Sequence, residues 1–355
     1  MNRPKRTTAV LVAVVLAAGL AACSDSRDGQ IQPGDASPIG PVAVSAAPEA
    51  EFPVTFEGRY GDVTVKQQPR RVVALGRGDA DALLALGVTP IAMTAWEELG
   101  NLGTGPWAED RLESRPTLIP SPQMDADYDQ VAEVAKLRPD LIVETGLHDD
   151  SERYQGLSKI APVIAAPRGA GEFYVPTMAE QTLTVARVLG IPQQGQKLLD
   201  DLEATRASTV RDHPEFKGAI VSVGQRIETT WFGQIFAIDR LKFFLDLGFR
   251  PNPAFQDLAS TADTDLGYEP DQVEVPARNL KVFDADLVVV DETNARRPVL
   301  EDKNFLAVPA VRDGHVITLS PDPEKPYLQA LDRPSVLSQT WLLETLVPEV
   351  DGKLG

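Results

Sequence analysis

The 355-residue chain is 43% hydrophobic and sets 52 Asp and Glu against 34 Lys and Arg, a formal net charge of −18. That balance disfavours nucleic acid as a partner, because phosphate binding needs a basic footprint. A single cysteine, Cys23, rules out an internal disulfide framework, so stability must come from an apolar core.

In chain order, residues 1–22 have a basic head (Arg3, Lys5, Arg6) followed by an apolar run ending in small side chains. This is the layout of a secretory signal peptide, and the run is shorter than the ~20 residues a membrane-crossing helix needs. Leu20-Ala21-Ala22-Cys23 has the form of a lipobox, in which the cysteine sulfur receives the lipid and becomes the new N-terminus. Several acyl chains together make a lasting anchor. Loss of residues 1–22 removes three basic residues and no acid, leaving 31 against 52. Residues 23–51, rich in Pro, Gly and Ser and without aromatics before Phe52, are expected to be a disordered tether carrying the lipidated Cys23.

Arg71–Gly87 (RVVALGRGDADALLALG) predicts strand, glycine turn and helix, with Asp79 as a helix N-cap. Ala219–Phe249 repeats the scheme, with AIVSV as strand and IDRLKFFLDLGF as helix joined by a loop. LRPDLIVETG (137–146) and FDADLVVVDE (283–292) each feed a continuous apolar run, the signature of a parallel strand buried on both faces. Between the halves, residues 175–213 are helical and broken at Gly190-Ile191-Pro192. The expected fold is therefore α/β: two Rossmann-like lobes, 52–174 and 214–355, bridged by a long helix within 175–213. A ligand cleft is expected between the lobes.

The ordered segments PRRVVALG, ADALLALGVTPIAMT, VAKLRPDLIVE, HPEFKG, NLKVFDADLVVV and FLAVPAVRDGHVITL, behind a lipobox and tether, resemble the binding proteins of iron–siderophore ABC transporters. The resemblance runs from about Pro69 to Leu346. It implies a two-lobed protein, not an enzyme, that captures a ferric siderophore outside the cytoplasm and passes it to an ABC permease. It would be a monomer held to the outer face of the cell membrane by lipid, with no resident cofactor; a haem- or cobalamin-binding lipoprotein of the same class is the alternative. The resemblance also implies one acid per lobe that docks on the permease, at the start of the helix before each apolar strand. The candidates are Asp129 or Glu133 in the first lobe and Asp271 or Glu274 in the second.

A ferric siderophore is bulky and often anionic, so its receptor needs cations, aromatics and space rather than metal ligands. Loops after predicted strands supply Arg77, Trp96, Trp107 and His148 in the first lobe, and Arg226, Trp231, Tyr268 and Arg296 in the second, with Arg333 near the end. His148 is the residue a haem reading would use as axial ligand. The positions of His213, before a proline at a helix end, and His315, opening a strand, are poor for a metal cage, so no metal site is expected. Enzyme chemistry has little support. There is no GxSxG elbow, no GxxxxGK[ST] loop and no HExxH pair.

Overall fold

A computed structural model describes residues 47–96, 99, 102–121, 128–145, 151–171, 174–235, 239–261, 271–320, 322 and 325–355, all within one unit spanning Pro38–Gly355. Cys23, His148 and Tyr268 lie outside the described residues.

An antiparallel hairpin, β1 (Val54–Gly58) and β2 (Gly61–Val65), precedes the first lobe. That lobe then runs β3 (Val72–Ala74), α1 (Asp79–Ala85), β4 (Ala92–Ala95), a 3-10 turn at Pro106–Arg111, β5 (Thr117–Pro120), α2 (Gln130–Leu137), β6 (Leu141–Val143), α3 (Ser151–Ser158) and β7 (Val163–Ile164). Its sheet has the order β5-β4-β3-β6-β7, and every pairing is parallel. Val72–Ala74 and Leu141–Val143 are buried throughout, as continuous apolar runs covered on both faces must be.

Two helices follow, α4 (Met178–Val188) and α5 (Pro192–Asp212). The break between them has a plain cause. Gly190 adopts φ 78, and Pro192 opens α5 where its missing N–H is harmless. The backbone N–H groups of Glu49 and Ala50 both donate to Gly190 O, so the stretch just before the first lobe is seated on this break.

The second lobe runs β8 (Ile220–Ile227), β9 (Thr230–Gln234), α6 (Asp239–Asp246), β10 (Arg250–Pro251), α7 (Pro253–Thr261), β11 (Gln272–Val275), β12 (Leu287–Asp291), α8 (Pro309–Arg312) and β13 (Val316–Leu319), with 3-10 turns at Ala277–Phe283 and Val299–Glu301. The chain ends in α9 (Tyr327–Asp332), α10 (Val336–Thr345) and α11 (Val347–Leu354). This sheet has the order β11-β9-β8-β12-β13, with β8, β12 and β13 parallel and β9 antiparallel to both β8 and β11. The repeat read from the sequence therefore holds for β8 but not for the segment after it. Thr230–Gln234 is a strand returning in a tight hairpin through Glu228 (φ 51), not a loop.

One apolar cluster runs across both lobes and the connecting helix. Leu84 and Ala85 of α1 and Trp107 share it with Leu202 of α5 and with Val336, Leu337 and Leu342 of α10. Moving the lobes apart would expose this cluster to water, which limits the amplitude of any opening.

Candidate functional site

The site grows from the carboxyl edge of the first sheet, where β3, β4 and β6 end side by side. After β3 the chain turns through Gly76-Arg77-Gly78 into α1. A Cβ on Gly76 would lie 2.0 Å from Thr145 O, and Gly78 sits at φ 78, so the turn accepts only glycine at these points. Asp79 is the first helical residue, not the N-cap, and its carboxylate is fully buried. Its Oδ2 accepts from Gly76 N (2.8 Å) and Thr145 N (3.1 Å), while Oδ1 accepts from Gln181 Nε2 (2.8 Å) and the Thr145 hydroxyl. Gln181 Nε2 also donates to Arg77 O at 2.8 Å. One carboxylate thus fastens the Arg77 turn to β6 and α4. Burial pushes the Asp79 carboxyl up to about 7, against the lowering effect of these hydrogen bonds.

The turn presents Arg77 with its guanidinium 5.3 Å from the Trp96 ring centroid, at the end of β4. Arg333, which caps α9 in the second lobe, stands over the same ring at 5.0 Å. Two arginines from different lobes therefore share one indole, and they leave Trp96 only 3% exposed. Burial and then the neighbouring Arg77 charge pull Arg333 down to about 9. Arg77 is likewise lowered, by burial, against the pull of Asp332. The two partly desolvated cations repel each other, and Asp332 beside Arg77 and Asp81 beside Arg333 offset part of that repulsion.

Carboxylates near this pair brace the second lobe and, through Asp81, the seam. Arg240 of α6 donates to Asp291 Oδ2 (2.9 Å) and to Asp332 Oδ2 (2.7 Å), joining the end of β12 to the end of α9. Asp81, in the first turn of α1, accepts from Trp107 Nε1 (2.6 Å), the Thr104 hydroxyl and Ser335 Oγ (2.9 Å), the last across the lobe boundary. Burial raises its pKa.

Several expected ligand residues have other positions. Trp231 is 1% exposed and packs on Phe305 (4.7 Å) and Phe283 (5.7 Å), so β9 places it in the second core and not in a binding loop. Trp107 is buried against Trp341 and lines a separate cavity of about 410 Å³ with residues of α5 and α10; neither Arg77, Trp96 nor Arg333 lines that cavity. Arg226 lies over the Trp231 ring at 5.0 Å and pairs with Asp302 at 3.5 Å, which makes it a brace of the second sheet. Arg296 is exposed beyond β12, its backbone N–H donating to Glu228 O. Of the ligand residues expected from sequence and described here, Arg77, Trp96 and Arg333 meet across the lobes, whereas Arg226 and Trp231 meet within the second lobe.

Sequence reasoning missed Asp81, Arg240 and the Glu144–Arg153 ion pair at the end of β6, with Tyr154 stacked on Tyr60 at 4.2 Å beside it. Glu144 could have been suspected from its place directly after an apolar strand.

Among the docking acids, Asp129 is exposed and caps α2, accepting from Ala132 N at 2.9 Å, whereas Glu133 pairs with Lys136. Asp271 and Glu274 are exposed but do not start a helix. Asp271 immediately precedes β11 and Glu274 lies in it, because QVEV alternates and pairs with β9.

Comparison with known proteins agrees with this architecture. The profile of a family described as periplasmic binding protein matches residues 72–323. The chain is 24% identical over 321 residues to YhfQ of Bacillus subtilis, named as a candidate ABC transporter substrate-binding lipoprotein, covering 88% of this chain and 90% of that one. It is 25% identical over 204 residues to the Fe(3+) dicitrate-binding periplasmic protein FecB of Escherichia coli, covering 52% and 61%. The structure of a periplasmic solute binding protein from Mycobacterium smegmatis superposes with a TM-score of 0.67 at 26% identity, over 85% of this chain and 99% of that one.

Proposed function

The chain belongs to the periplasmic binding protein family, and from that premise we propose that it captures an anionic ferric siderophore at the seam between its lobes and delivers it to an ABC permease. The observation that carries this reading is the pairing of Arg77 and Arg333, one from each lobe, over Trp96. An anion held there contacts both lobes at once, so ligand binding and lobe alignment are coupled.

Arginine suits the task because its planar guanidinium meets a carboxylate through two parallel N–H donors and stays charged when partly dehydrated. The site recognises the outer ligand atoms of a chelate and performs no reaction on the iron. FecB, which is similar to about half of this chain, is named for a citrate complex of iron, and that favours carboxylate donors in the ligand here. Cys23 is the lipid attachment point, the protein acts as a monomer outside the cytoplasm, and Asp129 is the first-lobe acid offered to the permease. Glu274 is its counterpart, presented from a strand.

The test is tryptophan fluorescence of the full-length protein in detergent, titrated with ferric citrate, a ferric hydroxamate, a ferric catecholate, haem and cobalamin. Saturable quenching by the ferric carboxylate, absent in Trp96→Phe, is expected. Quenching by haem or cobalamin alone would replace the siderophore reading, and a silent panel would remove it.

A further inference from the structure

We propose that His213, Glu215 and Asp351 form a site for a divalent transition-metal ion of the zinc type, which ties the C-terminal helix to the end of α5. The site shares no residue with the arginine pair and does not depend on the siderophore reading.

His213 caps the C-terminus of α5, and Pro214-Glu215-Phe216 then forms a short 3-10 turn. This turn brings Glu215 Oε1 to 2.9 Å from His213 Nδ1. Asp351, in the last turns of α11, places Oδ1 at 3.5 Å from the same nitrogen. One donor atom from each of the three residues lies within 4.8 Å of the other two. A tetrahedral zinc with bonds of roughly 2.0–2.2 Å sets its ligand atoms about 3.4 Å apart, so the triad needs only small adjustments to close on an ion.

The ring is also held in place. The His213 imidazole stacks on Phe216 at 4.7 Å with an interplanar angle of 5°, and Phe216 is fully buried in the core. The plane of the nitrogen ligand is thereby fixed by packing before any ion arrives.

The electrostatics call for a cation. Two carboxylates face one ring nitrogen, and a single N–H there can satisfy only one of them in a good hydrogen bond. Glu215 Oε1 and Asp351 Oδ1 both approach His213 Nδ1, at 2.9 and 3.5 Å. The triad also sits at the C-terminus of α5 and in the last turns of α11, both negative helix ends. The mixed imidazole and carboxylate set selects zinc, cobalt or nickel over magnesium or calcium, which prefer oxygen alone. The three side chains are partly exposed, leaving a position for water.

The test uses metal-stripped full-length protein with its cysteine alkylated, titrated with zinc by calorimetry and with cobalt by visible absorption. One zinc per chain with a micromolar dissociation constant, tetrahedral cobalt bands and a raised Tm are expected, with no response to magnesium. Both His213→Ala and Asp351→Asn should weaken zinc at least tenfold and cancel the Tm shift. Asp351→Asn alters an exposed side chain and keeps the test valid should His213→Ala fail to fold. Absence of zinc binding in the wild type, or equal binding in the folded variants, overturns the proposal and leaves the triad as a histidine–carboxylate contact.

Discussion

Replacing Asp79 by Asn isolates the titration of the group that fastens the Arg77 turn. The side chain keeps its shape and its acceptor for Gly76 N and Thr145 N, but it can no longer ionise. In the folded protein burial raises the Asp79 carboxyl from 3.8 to about 7. The folded state therefore holds this proton more tightly than the unfolded chain does. Stability linked to it is complete below about pH 4, falls as pH rises, and is gone above about pH 7. Each pH unit within the window is worth about 1.4 kcal/mol, so the full span is about 4 kcal/mol, of which about 2–3 kcal/mol falls between pH 5 and 8. Urea denaturation of wild type and Asp79→Asn at half-unit steps from pH 5 to 8 reads it directly. The wild type should lose about 2–3 kcal/mol relative to the variant over that range. Parallel pH profiles would show that Asp79 is ionised in the fold throughout and that the buried hydrogen bonds outweigh desolvation.

Three further outcomes are expected. Asp81→Ala strands the donors of Trp107, Thr104 and Ser335 at the lobe boundary and should cost about 3 kcal/mol in denaturant unfolding; a neutral result would mean that relief of the buried charge offsets the lost bonds. Arg77→Ala and Arg333→Met should each weaken an anionic ferric siderophore at least tenfold in fluorescence titration, whereas Trp231→Phe should leave affinity unchanged because that indole packs against Phe283 and Phe305 in the second core. Gly76→Ala drives a methyl to 2.0 Å from Thr145 O and should cost about 2–3 kcal/mol, seen as a lower Tm. An unchanged Tm would show that the turn can shift at no cost.

By itself the sequence determined the features that depend on local period and local chemistry. Continuous apolar runs such as Val72–Ala74 and Leu287–Asp291 announced parallel strands, because burial on both faces erases alternation. Gly190 and Pro192 announced the helix break through backbone sterics alone. Placement after strand ends was enough to nominate Arg77 and Trp96, while Arg333 was nominated from a loop near the end of the chain and caps α9. Tertiary structure alone decided which candidates meet. Thr230–Gln234 could be read as a loop or a strand until β8 and β11 paired with it, and that pairing buried Trp231 and diverted Arg226. Asp81 and Ser335 are 254 positions apart, and Asp351 reaches His213 only because α11 folds back onto the end of α5. Such contacts carry no local signature, since a polar side chain has the same sequence neighbours whether it faces water or a partner from the other end of the chain.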